Sequence, residues 1–289
     1  MKIVKILGGL GNQMFQYAFY LAVKHRFPKE AAKIDIFCFR GYPLHNGFEL
    51  NHVFAINEPI ANIRDLCKVS YPYIHYRLWQ VGKYLLPKRK IMYKESLDAK
   101  YNPNIFNNEK ICYYEGYWQN EKYFKDIRSE ILKIFKPRYI NDKTKELSKI
   151  LTNKSSVSIH IRRGDYIKHP WFGGICNVGY YKRAISKIES QKDVEIYCIF
   201  SNDIPWCKTN IAPLLKSKKI IYVDWNKNEE SHLDIYLMSL CKYNIIANSS
   251  FSWWGAWLNE YKEKIVICPK KWNNIKDSKF ELPESWTKI

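Results

Sequence analysis

Apolar positions alternate with polar ones through Val157, Ile159 and Ile161, and three further short apolar runs follow, Glu195 to Phe200, Lys219 to Val223 and Asn244 to Ala247. Helix-like stretches lie between them, which is the rhythm of β-α units. Each run ends in polar residues: Arg162-Arg163-Gly164-Asp165 after the first, Ser201-Asn202-Asp203 after the second, Asp224-Trp225 after the third, and Asn248-Ser249-Ser250 after the fourth. Ligands of open parallel α/β sheets lie outside the carboxyl ends of the strands, so these four tips are expected to converge on one site. At the start of the chain Lys2 to Leu7 predicts another strand, and Gly8-Gly9-Leu10-Gly11-Asn12-Gln13 turns into a helix running through Phe15, Ala18, Phe19 and Ala22. Neither nucleotide fingerprint is satisfied there, because Met14 stands where the third glycine of G-x-G-x-x-G falls and no Walker lysine follows. The loop reads equally as a plain glycine-rich turn and as a functional loop bringing Asn12 and Gln13 to a cleft. No internal repeat or low-complexity segment interrupts the pattern. The basic, proline-bearing stretch from Lys136-Pro137-Arg138 to Lys145 loses the apolar period and is the expected linker, giving domains 1–145 and 146–289.

At 289 residues with 46% hydrophobic and 16% aromatic content, the chain can bury a sizeable core, so its formal charge of +19 decorates a globular body. That charge points to an acidic partner: nucleic acid, an anionic membrane, or an anionic substrate such as a nucleotide sugar or lipid diphosphate. The eight cysteines are scattered without Cys-x-x-Cys spacing, often in apolar runs, and read as small core hydrophobes in a reducing compartment. The N-terminal apolar run is too short for a signal-peptide core and no run reaches membrane-spanning length, so a cytoplasmic location is expected.

The richest chemistry lies in His160-Ile161-Arg162-Arg163-Gly164-Asp165-Tyr166. Arginine offers a planar fork that fits phosphate oxygens in pairs, and Gly164 lets the backbone turn or approach a ligand, so a diphosphate is the first expectation. A surface ion pair of Arg162 or Arg163 with Asp165 is the plainer alternative. At the fourth tip Ser249, Ser250 and Ser252 precede the helix-like Trp253-Trp254-Gly255-Ala256-Trp257-Leu258. Such a start suits phosphate. It also fits a serine cap with the tryptophans in the core, and the two roles are compatible.

Taken together, the residues Gly8 to Tyr17, His160 to Tyr166, Ser201-Asn202-Asp203 with Trp206 and Lys208, and Ile246 to Trp257 resemble the α-1,2-fucosyltransferases of glycosyltransferase family 11, in the family's order across nearly the whole chain. The resemblance implies a GT-B architecture, two Rossmann-like α/β domains facing across a cleft, with the last helix a candidate for packing back on the N-terminal domain. It implies a GDP-fucose donor held by the C-terminal domain, inversion at the anomeric carbon, a galactoside acceptor, and no metal or other cofactor. The product would be an α-1,2-fucosylated surface glycan or precursor, free or lipid-linked. It maps donor contacts onto His160, Arg162, Arg163, Ser201, Asn202, Asp203, Asn248, Ser249, Ser250 and Phe251, with Arg162 on the diphosphate. The acceptor side falls to Asn12, Gln13 and Trp118. Departures from the family pattern concentrate between Phe39 and Asn108.

The residues agree with that chemistry. The sequence contains no Asp-x-Asp pair, so arginine and a helix start are the groups available to neutralise a leaving diphosphate. His232 and Asp234 have metal-ligand spacing but no third partner, which favours a cap or a polar contact. Asp165 is the carboxylate nearest the motif and the obvious general base, yet beside two arginines it is better placed to fix the loop or orient Arg163. Asn12 is the candidate for positioning the acceptor hydroxyl. A nucleic-acid binder would interleave its cations and aromatics along one face, which the strand-ending arginines do not do, so no nucleic-acid partner is expected. Tyr71 to Lys90 mixes Tyr73, Tyr76, Trp79 and Tyr84 with Arg77, Lys83, Lys88, Arg89 and Lys90, a composition that fits peripheral contact with an anionic membrane, and equally a helical hairpin with a solvated basic face.

Overall fold

The computed structural model describes residues 1–96, 98–107, 111–216 and 218–289. These divide into two compact units, Met1–Arg138 with Lys279–Glu281, and Tyr139–Ser278 with Leu282–Ile289. The division falls inside the basic stretch 136–145. From Asn141 onward that stretch is no linker, because the Asn141 side chain caps the helix that follows by accepting from the Thr144 N–H at 2.9 Å. Among the described residues no helix follows Trp257, and the late segment that groups with the first unit is the irregular Lys279–Glu281.

The first unit contains β1 (Lys2–Lys5), α1 (Leu10–Arg26), β2 (Ala32–Asp35), α2 (Leu50–Val53), α3 (Ile63–Val69), α4 (Tyr76–Leu85), β3 (Met92–Lys94), β4 (Cys112–Glu115) and α5 (Arg128–Ile134). Its sheet is parallel throughout, in the order β2-β1-β4-β3. Helix α1 is buried on nearly every face from Leu10 to Val23, and Lys24, His25 and Arg26 in its last turn complement the helix dipole. Much of this unit's core is aromatic: the Phe19 ring stacks on Trp118 at 4.3 Å and meets Tyr114 and Tyr123 edge-on.

The second unit contains α6 (Asp142–Asn153), β5 (Ser156–Ile161), α7 (Val178–Glu189), β6 (Ile196–Ser201), α8 (Ile204–Asn210), β7 (Lys219–Val223), α9 (His232–Leu240), β8 (Tyr243–Ile245), α10 (Ser250–Trp257), β9 (Ile265–Cys268) and β10 (Thr287–Lys288). Its six strands are also all parallel, ordered β10-β9-β8-β5-β6-β7. Every residue of β5 is buried, as a central strand covered on both faces requires. From β5 the chain winds outward through β6 and β7, then returns to β8 on the other side. The strand order therefore reverses between β5 and β8, and ligands of open α/β sheets bind at such a point.

Six cysteines are buried among these elements, Cys176 is half-buried and Cys67 is exposed, so the core reading holds for all but the last. Among the described residues no helix is long and apolar enough to cross a membrane.

Candidate functional site

The tip of β5 is organised from β6. Arg163 donates its backbone N–H to Asn202 Oδ1 at 3.0 Å, and its Nε to Asp203 Oδ2 at 3.0 Å. Its guanidinium also lies 4.0 Å from the centre of the Trp206 ring. Asp203 in turn caps α8 by accepting from the Trp206 N–H, and Ser201 Oγ accepts from the Asp203 N–H. Gly164 takes a φ of +38°, and a Cβ there would run into Asn202 Nδ2, so the turn requires glycine. Asn202, Asp203 and Trp206 thus hold Arg163 as a structural post. Among the described residues its neighbour Arg162 is held only by Asp165, at 2.9 Å, and by the Tyr166 ring at 5.4 Å. Nε and Nη1 of Arg162 take no hydrogen bond among the described residues. Asp165 was expected to fix the loop or orient Arg163, with an ion pair to Arg162 or Arg163 as the plainer alternative; it pairs with Arg162 and not with Arg163, whose guanidinium is taken by Asp203.

The β8 tip meets the same place from the other side of the strand reversal. Ser249 caps α10, its Oγ accepting from the Phe251 N–H at 3.3 Å. The half-buried Ser250 hydroxyl takes no partner among the described residues. The Phe251 ring lies 5.8 Å from the His160 ring. His160 is fully buried, and desolvation, helped by the Arg162 charge, pushes its pKa down to about 3. It is therefore a neutral imidazole, with Nδ1 buried and unpartnered among the described residues. Asn248 ties the tip down by donating to the carbonyls of Phe172 and Trp272, both at 3.2 Å. Arg162, His160, Tyr166, Ser249, Ser250 and Phe251 accordingly form one partly electropositive corner that presents hydroxyls and guanidinium N–H groups.

The third expected tip does not join them. Strand β7 is at the sheet edge, and the residues beyond it are committed elsewhere: Trp225 Nε1 donates to Thr144 Oγ1, while Asn226 bonds Asn141, Thr144 and Asp234. Asp234 is half-buried, and desolvation raises its carboxyl pKa to about 8. His232 leans on the Glu229 carbonyl. The pair is spent on local contacts.

In the first unit, Gly8 at φ +105° opens the turn into α1. Asn12 is half-buried, and its Oδ1 accepts from Gln119 Nε2 at 2.7 Å. Gln13 is fully buried: its amide donates to the Gly8 and Gly47 carbonyls and accepts from the Glu49 N–H. With its polar atoms so used, it positions the loop around Gly47 and is not a ligand contact. Trp118 likewise departs from its expected acceptor-side place, because its ring is the 1% exposed centre of the aromatic core. A positive φ at Trp118, with Glu95 accepting from its N–H and that of Tyr117, folds the ring inward. Tyr166 and Gln119 are the residues that the sequence reading left without roles. Tyr166 stood inside the motif, whereas nothing in the sequence pairs Gln119 with Asn12.

A parallel sheet with cationic and serine-led tips at its strand reversal is an α/β arrangement whose chemistry suits an anionic ligand. The chain belongs to glycosyl transferase family 11, whose model matches residues 1–289, and it is therefore a glycosyltransferase. It is 35% identical to an Escherichia coli alpha-1,2-colitosyltransferase over 99% of this chain and 98% of that one. It is 30% identical to the E. coli O-antigen biosynthesis glycosyltransferase WbnK over 98% of both. Identity to mouse galactoside alpha-(1,2)-fucosyltransferase 2 is 23%, covering 88% of this chain and 67% of that protein.

Proposed function

We propose that this enzyme transfers L-fucose from GDP-β-L-fucose to the 2-hydroxyl of a terminal galactoside, with inversion, forming an α-1,2 linkage in a surface glycan or its precursor on the cytoplasmic side. The observation that carries the reading is that Arg162, after β5, and the serine-led start of α10, after β8, stand at the ends of the two adjacent strands where the order reverses. In the reaction the bond from fucose C1 to the β-phosphate oxygen breaks, and a bond from C1 to the acceptor oxygen forms. GDP leaves with the electron pair, and the acceptor hydroxyl's proton passes to water. Arg162 and the Ser249 and Ser250 hydroxyls offer donors to the diphosphate as its charge grows, so no metal is assigned to that task. Neutral His160 contributes no charge and acts as a hydrogen-bonding wall. Asn12, one step inside the glycine turn, orients the acceptor hydroxyl. The name of the mouse relative supports a galactoside acceptor, and that of WbnK supports a lipopolysaccharide product.

A second reading rests on the colitosyltransferase relative. Colitose is fucose without its 3-hydroxyl, so the two donors differ by one polar group. A site built to bond that hydroxyl rejects the deoxy sugar by up to about 10⁴-fold. Incubating the purified enzyme with GDP-fucose or GDP-colitose and a panel of galactosides, with product linkage read by NMR, tests the proposal. The expected product is an α-1,2-fucosyl galactoside. Turnover of GDP-colitose with GDP-fucose left idle supports the second reading, and a linkage to any other hydroxyl contradicts both.

A further inference from the structure

Helix α4 is built inside out for a solvated surface. Its inward side consists of Tyr76, Trp79, Gly82 and Lys83: the Trp79 indole donates to Glu115 at 3.3 Å, Gly82 leaves no room for a Cβ beside Tyr73, and Lys83 lies over the Trp79 ring at 4.6 Å. The outward side is apolar, with Leu78, Val81, Tyr84 and Leu85 exposed by 53%, 59%, 81% and 75%. The spacing Leu78, Val81, Leu85 is one face of a helix, and Ile74 and Leu86 extend it at either end with 39% and 43% exposure. A contiguous exposed aliphatic face of this kind marks an interaction surface. The aromatics that suggested membrane contact in the sequence are mostly turned inward, and it is the aliphatic residues that are presented.

The charge of the chain segment that carries this face is of one sign, the acidic Glu115 lying on its inward side. From Leu66 to Lys94 there are seven lysines and arginines and no aspartate or glutamate. Arg77 at the start of α4, and Lys88 and Lys90 just beyond it, have exposed side chains. Aliphatic residues rimmed by cations match a surface that offers hydrocarbon beneath phosphate. A second copy of the chain would bring two such cationic rims together, and nucleic acid would leave the aliphatic side chains in water.

We infer that α4 is an interfacial helix that docks this enzyme on an anionic phospholipid bilayer, with Leu78, Val81 and Leu85 entering the headgroup boundary, Tyr84 at its edge, and Arg77, Lys88 and Lys90 on lipid phosphates. This goes beyond the sugar-transfer reading and stands or falls separately from it.

Vesicle flotation of the full chain tests it, using phosphatidylcholine alone and phosphatidylcholine with about one-third phosphatidylglycerol. Binding is expected only to the anionic vesicles, and it weakens as salt rises from about 0.05 M to about 0.5 M. Lys88→Ala with Lys90→Ala lowers partitioning about 25-fold, about fivefold per charge. Leu78→Asp with Val81→Asp abolishes it while the chain still melts cooperatively near the parent's temperature. Three results overturn the inference. They are absence of binding to anionic vesicles, anionic binding that neither pair of substitutions changes, and concentration-dependent self-association removed by Leu78→Asp with Val81→Asp in a chain that ignores vesicles.

Discussion

Replacing Gly164 by alanine probes the scaffold behind Arg162 without touching a charged group. The turn holds Gly164 at φ +38°, where an L side chain costs about 1 kcal/mol. The new Cβ also meets Asn202 Nδ2, so that side chain must rotate and give up the hydrogen bond it accepts from the Arg163 N–H, worth about 1 kcal/mol more. Gly174 in the same unit serves as the comparison, because its φ is +76° but a Cβ there would meet nothing within 4 Å. Gly164→Ala should therefore lose about 2 kcal/mol and Gly174→Ala about 1 kcal/mol, or roughly 4–8 °C against 2–4 °C in melting temperature. Asn202→Ala removes the obstacle as well as the bond. In that background Gly164→Ala should cost only its backbone strain, leaving a coupling of about 1 kcal/mol in the double-mutant cycle. Calorimetric melting of the five proteins (parent, the three single variants and the Gly164→Ala/Asn202→Ala double variant), with GDP titrated into each, makes the measurement. Gly164→Ala melting no lower than Gly174→Ala, or strict additivity with Asn202→Ala, would refute the reasoning.

Other substitutions address charge and protonation. Arg162→Lys should cut turnover by about 10-fold or more in a folded protein, because one ammonium cannot reproduce a bidentate fork on a diphosphate; near-normal kcat in that variant removes the assignment. Activity should survive EDTA, and a loss restored by Mg²⁺ or Mn²⁺ would defeat the metal-free proposal. Asp234 is neutral in the fold up to about pH 8 but ionised in the unfolded chain above about pH 4, so it costs stability increasingly as pH rises between those values. Asp234→Asn keeps the acceptor for Asn226 and removes that cost. Its melting temperature should exceed the parent's by a margin that widens from pH 4 to pH 8, and a margin independent of pH would show that Asp234 is ionised in the fold.

The repeating strands of the second unit were legible because central parallel strands are continuous apolar runs: Lys219–Val223 was found at its observed limits, and the other three shifted by a residue or two. The two tips flanking the strand reversal could be read because their residues are adjacent in sequence. Roles set by distant partners could not. Arg163 is bound by a carboxylate forty positions away, and Trp225 is taken by a threonine on a helix that precedes the whole sheet. Gln13 looked like a loop contact because nothing local shows that Gly47 and Glu49 fold over it. Trp118 is core because its left-handed backbone turns the ring inward, a conformation rare for a bulky residue. The helical hairpin that was one of two readings of Tyr71 to Lys90 resolved into the single helix α4, whose outward face follows from Tyr76 and Trp79 taking the inward side.

The central claim, that the β5 and β8 tips of the second unit hold the donor's diphosphate, is tested most directly by calorimetric titration of GDP into the parent, Arg162→Ala and Asn12→Ala. The account predicts a loss of affinity of about 100-fold for Arg162→Ala, the worth of about two charge-assisted hydrogen bonds. It predicts a change of no more than about threefold for Asn12→Ala, whose sugar transfer should nevertheless fall. Equal losses of GDP affinity in the two variants, or undiminished binding by Arg162→Ala, would contradict it.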